Sequence, residues 1–90
     1  MVQPLLFFYI YVYLQTLKFK EMEFELREEQ EFITLIQLLK AVGVSYNGAE
    51  AQRMVVEGLV YLNGELESRK RAKIRRGDVV KVFDKEIIVR

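Results

Sequence analysis

The chain has 90 residues, 51% of them hydrophobic and 30% charged, which suits one globular domain with no room for a catalytic domain beside it. Cys and His are absent, which excludes disulfides, zinc and haem sites built on those ligands, Cys nucleophiles and His-dependent triads. The net charge of +1 names no partner, but residues 1–45 carry four basic against six acidic side chains and residues 46–90 carry ten against seven.

Residues 1–21 hold fourteen apolar side chains and six of the eleven aromatics, and 5–14 is an unbroken apolar run of ten. A spanning helix needs roughly 20 such residues, so this run is too short to cross a bilayer. Lys18 and Lys20 follow it rather than precede it, the wrong order for a secretory signal. Three readings stay open for 1–21: a start assigned upstream of Met22, an extra strand or helix that packs on the domain or on a second copy, and an interfacial membrane anchor.

From Met22 the pattern is regular. Residues 23–26 alternate polar and apolar, predicting a short half-buried strand. Glu28, Glu29 and Glu31 crowd the start of a helical pattern, where negative charge suits the helix dipole. Phe32, Leu35, Ile36, Leu39 and Val42 follow as one apolar stripe, and Gly43 stands where a left-handed terminator belongs. A second helix is expected from the cap Asn47, with Glu50 at capping-box spacing, through Ala51, Met54 and Val55 to Gly58. Both helices are expected to run about three turns. Tyr46, which flanks this helix, is expected to pack, with stacking on a planar base as its alternative role. Residues 60–62 then lead into Asn63-Gly64, a strong signal for a tight hairpin, and 65–67 leave it. Gly77-Asp78 marks another turn, 79–83 a strand, Asp84-Lys85 the tip of a last hairpin, and 87–89 its return. One strand, two helices and several strands make an α+β domain over 22–90.

The segment most suggestive of function is 69–76, in which six of eight residues are basic and none is acidic. Such crowding costs self-repulsion that an ordinary surface relieves by interspersing acids. A polyanion removes that cost, and counterion release then supplies affinity. If the segment is extended, Arg71 and Lys73 share one face while Ala72 and Ile74 point to the other. No carboxylate pair is placed for acid–base work, and no phosphate-cradling Gly-rich motif occurs. The expectation is a binding module without catalysis, cofactor, metal or small-molecule substrate.

The run 47–64, Asn-Gly-Ala-Glu-Ala-Gln-Arg-Met-Val-Val-Glu-Gly-Leu-Val-Tyr-Leu-Asn-Gly, with Gly77-Asp78-Val79-Val80 after it, resembles the S4-like RNA-binding domain. The likeness covers roughly residues 32–82 and is nearest to the small stand-alone bacterial members. It implies an αL-type fold, with two short helices packed on a small curved, mostly antiparallel sheet, and a cytoplasmic module engaging structured RNA, most often ribosomal. Where the family has a Ser-Arg pair this chain has Asn47-Gly48, so one phosphate-contacting Arg of the family has no counterpart. Arg53 matches the family's helix Arg, and Lys40 falls beside the expected RNA face. The candidate RNA contacts are therefore Lys40, Asn47, Gly48, Arg53, Arg69, Lys70, Arg71 and Lys73. Arg75 and Arg76 are weaker candidates. Gly48 leaves backbone N–H groups open at a helix start, where a phosphate fits. The alternative function is a protein-interaction or membrane-proximal adaptor built on the apolar N-terminus, which would also favour self-association through 1–21; a membrane is the less expected partner.

Overall fold

The computed structural model describes Ile10 and residues 20–90; the readings of the apolar run and its possible self-association lie outside the described residues. The elements are β1 (Lys20–Phe24), β2 (Ile33–Thr34), α1 (Leu35–Ala41), α2 (Gly48–Val56), β3 (Val60–Leu62), β4 (Glu65–Leu66), β5 (Lys73–Ile74), β6 (Val79–Val82) and β7 (Lys85–Val89). Five strands form one sheet in the order β1-β7-β6-β3-β4, and β2 pairs with β5 in a separate two-stranded ladder. Among the described residues, only the β1–β7 pairing is parallel. The first strand thus begins at Lys20, ahead of Met22, and ends at Phe24 rather than at Leu26.

Side-chain alternation makes one face of the sheet apolar. Val60, Val80, Val82, Ile87 and Val89 are buried from that face, and Leu35, Leu38, Leu39, Ala51, Met54 and Val55 join them from the helices in one core. The opposite face is more exposed and carries Tyr61 and the Glu23–Arg90 ion pair at 2.8 Å.

The helices differ in one respect from the sequence reading. The spacing places the start of α1 near Glu28, but the helix begins at Leu35 and is only seven residues long. Glu28 and Glu29 lie in a turn ahead of it. The reason is competition: Ile33 pairs with Ile74 and Thr34 with Lys73, and β-branched residues favour that extended state. Thr34 then caps α1 through a reciprocal box with Gln37, the Thr-x-x-Gln signal that stands in the sequence. Gly43 follows α1 at φ +78°, the left-handed terminator expected there. At α2 the cap is as expected. Asn47 Oδ1 accepts the Glu50 N–H at 2.8 Å, an interaction worth about 1 kcal/mol.

Two family-like motifs form one structural device. Asn63 (φ +50°) and Gly64 (φ +86°) make the tight β3–β4 turn. The Asn63 carboxamide donates to Asp78 Oδ1 at 3.0 Å and accepts the Val79 N–H at 2.8 Å. Asp78 Oδ2 accepts the Arg75 N–H at 2.7 Å. The Asn-Gly and Gly-Asp pairs thereby tie two turns together. Asn63→Ala loses both side-chain bonds and the tolerance for positive φ, so it is expected to destabilise the domain by about 1–3 kcal/mol, read as a lower urea midpoint.

The last hairpin turns one residue earlier than the sequence suggests. Val82 pairs with Lys85, so the tip is Phe83-Asp84, with Phe83 at φ +57°.

Candidate nucleic-acid interface

The basic segment packs across the start of α1. Its residues alternate as expected, Arg71 and Lys73 exposed, Ala72 and Ile74 buried. The Leu35 N–H donates to the Ala72 carbonyl at 2.9 Å, and β5 pairs with β2. A turn closed by the Ala72 N–H on the Arg69 carbonyl, at 3.3 Å, projects Lys70 and Arg71 outward.

This docking brings residues distant in sequence together. Lys40 from the last turn of α1, Gly48 and Gln52 from α2, and Arg71 line one open groove of about 450 Å³, with Thr34, Ile36 and Gln37 on its α1 side. Among the described residues, Lys40 and Arg71 have no ion-pair partner. Two uncompensated cations beside the start of a helix form a positive site suited to phosphate. A Cβ on Gly48 would meet only Ile36 Cγ2, at 3.9 Å. Gln52 is a groove residue that the sequence reading misses; its place one helical turn after Gly48 is the signal that marks it.

The remaining candidates divide. Arg53, one residue round the helix from Gln52, lines an adjoining hollow with Asn47, Ala49 and Glu50 instead of the Arg71 groove. Arg69 is committed to its own neighbour: its Nε and Nη2 donate to Glu67 at 3.1 and 3.0 Å, and its backbone N–H at 2.9 Å. It therefore brings no free charge to the groove. Lys73 lies over the Phe32 ring, 4.9 Å from its centroid, a cation–π contact that leaves its ammonium near the surface. Arg76 is structural, donating to the carbonyls of Gln30 at 2.7 Å and Arg27 at 2.6 Å and so fastening the loop before β2. Tyr46 does not pack as the sequence suggests; it is 94% exposed.

Glu67 is nearly buried, and hydrogen bonding from the Arg69 side chain holds its carboxyl below the ordinary value of 4.5 despite that burial. A depressed carboxylate stabilises the fold above its unfolded-state pKa and loses that contribution as pH falls through the folded value. The stability gap between the parent protein and Glu67→Gln is expected to narrow as pH falls below the carboxyl's ordinary value of 4.5, measured by thermal melts on either side of it. A gap independent of pH would mean that the carboxylate's charge does not hold the Arg69 turn.

Among the described residues, no acidic cluster is placed to hold a metal ion and no helix is long and apolar enough to cross a membrane. Residues 24–90 match the model of the S4 domain. This chain belongs to the S4 domain family. Two curated relatives are YbcJ of Escherichia coli K12 and YbcJ of Shigella flexneri, each 44% identical over 48 residues, which span 53% of this chain and 69% of theirs. The solution structure of Escherichia coli YbcJ, described as revealing an αL motif involved in RNA binding, superposes with a TM-score of 0.60 at 36% identity, covering 74% of this chain and 84% of that one. The S4 domain here has that αL-type α+β fold: two short helices on a mostly antiparallel sheet. The motif residues that announce the family, Asn63, Gly64, Gly77 and Asp78, serve its turns, whereas Lys40 and Arg71 stand free at its surface.

Proposed function

We propose that this S4 domain is a non-catalytic RNA-binding protein that grips folded RNA, ribosomal RNA foremost, and acts in the cytoplasm. The observation that carries the reading is the convergence of Lys40 and Arg71, from separate elements, on one open groove beside Gly48. In an A-form helix the base edges are withdrawn from side chains, and recognition rests on shape, phosphates and 2′-hydroxyls. Two free cations with the Gln52 amide in the same groove suit that task, since the cations meet phosphate and the amide can both donate to and accept from a ribose hydroxyl. Gln37, whose Oε1 already accepts from Thr34, has its amino group left to donate. Lys70 on the projecting turn and Lys73, whose backbone pairs with Thr34 of the groove, extend the positive strip.

Fluorescence anisotropy against a structured RNA tests the reading. With roughly four phosphates neutralised, log affinity should fall with log salt at a slope of about −3. Binding that ignores salt, or no binding at low salt, would overturn it. RNA crosslinked to the full chain in cells and sequenced would identify the target; absence of ribosomal RNA from that set would remove the ribosomal assignment.

A further inference from the structure

On the far side of Arg53 the α2 start opens into a second hollow, of about 410 Å³, whose lining includes Tyr46, Glu50, Arg53, Glu57, Phe83 and Lys85. Two aromatic rings are exposed there, Tyr46 at 94% and Phe83 at 60%. Neither serves the core. Phe83 moreover occupies the first position of a two-residue hairpin tip at φ +57°, where Gly, Asn or Asp costs least and a bulky side chain is strained. A ring kept in a strained backbone position and turned to water points to a role outside folding.

We propose that this hollow receives one unpaired nucleobase of the RNA, stacked on Tyr46 and Phe83. The inference rests on the RNA-binding reading above and deepens it. Three observations select a base as occupant. Glu50 and Arg53 line this hollow and also the one they share with Asn47 and Ala49, next in the chain to Gly48 of the basic groove, so the rings and the groove flank the same α2 start. Arg53 and Lys85 supply positive charge for its phosphate. Glu50 and Glu57 are acceptors only, which suits a base edge rich in N–H donors: guanine offers adjacent N–H and amino donors, whereas uracil presents carbonyls beside its single N–H and is disfavoured.

The experiment compares the full chain on three probes at one salt concentration: a blunt RNA duplex, the same duplex with one bulged guanosine, and the same with one bulged uridine. The parent protein should bind the guanosine bulge about tenfold more tightly than the blunt duplex, as expected for one stacked base, with the uridine bulge weaker than guanosine. Tyr46→Ala and Phe83→Gly should each erase the preference and keep blunt-duplex affinity. Phe83→Gly should melt no lower than the parent, because it relieves the positive-φ strain. Equal affinity of the parent for all three probes, or a preference surviving in both variants, overturns the stacking site and leaves the rings as a protein-contact surface, with the RNA-binding reading intact. Failure of the parent to bind any probe removes both.

Discussion

Lys40→Glu combined with Arg71→Glu should weaken binding to structured RNA by roughly two orders of magnitude or more and reduce the magnitude of the salt slope by about two, one unit for each phosphate no longer neutralised. The two side chains come from α1 and from the turn before β5 and meet only in the folded groove, so each reversal places a negative charge where a phosphate is to sit. Neither has an ion-pair partner among the described residues, and the fold should survive. The one identifiable cost is at Lys40, which lies in the last turn of α1, where removing a cation costs about 0.3–1 kcal/mol against the helix dipole. A thermal melt near the parent's, with binding abolished, is the expected pair of results. Unchanged affinity in the double variant would exclude the groove as the RNA site, whatever the parent protein binds.

The contrast with Arg69 shows what the sequence can and cannot disclose. In the sequence, Arg69 and Arg71 are equivalent members of one basic run. In the structure Arg69 folds back on Glu67 with three hydrogen bonds, while Arg71 faces the groove. The difference arises from a turn closed at Ala72 and from burial of Glu67. Neither effect has a periodic signature. The alternation that buries Ala72 and Ile74 is legible because a strand enforces period two even across this short β5 segment. The α2 cap, the Asn63-Gly64 turn and the left-handed Gly43 and Gly58 are legible because each depends on the conformational freedom or capping chemistry of one residue type. The start of α1 is not, because the acidic run suggests a helix start while the long-range pairing of Ile33 with Ile74 decides it. The partition of Arg53 and Gln52 into different hollows needs the rotation of α2 about its axis, which is set by the packing of Ala51, Met54 and Val55 in the core.

Packing of the helices is also where the largest loss of stability is expected. Leu39→Ala should cost about 2–5 kcal/mol, seen as a lower urea midpoint at unchanged m-value. Leu39 is fully buried, and its carbonyl accepts the N–H groups of Val44 at 3.0 Å and Ser45 at 3.2 Å, so it sits where α1 hands over to the link that leads to Asn47. Deleting its side chain removes apolar packing and leaves a cavity that a seven-residue helix, held by its cap and by its neighbours in the core, collapses into only in part. Domains of this size are marginal, with total stabilities of roughly 5–15 kcal/mol in general and small ones toward the lower end, so the variant should be partly unfolded at 37 °C. RNA affinity measured at low temperature, where the folded fraction recovers, should return toward the parent value because Lys40, Gly48 and Arg71 are untouched. That recovery separates it from the double charge reversal, whose defect persists in a fully folded chain. A Leu39→Ala protein that loses less than about 1 kcal/mol would mean that α1 is not anchored to the sheet through this side chain, and that the groove's geometry has some other support.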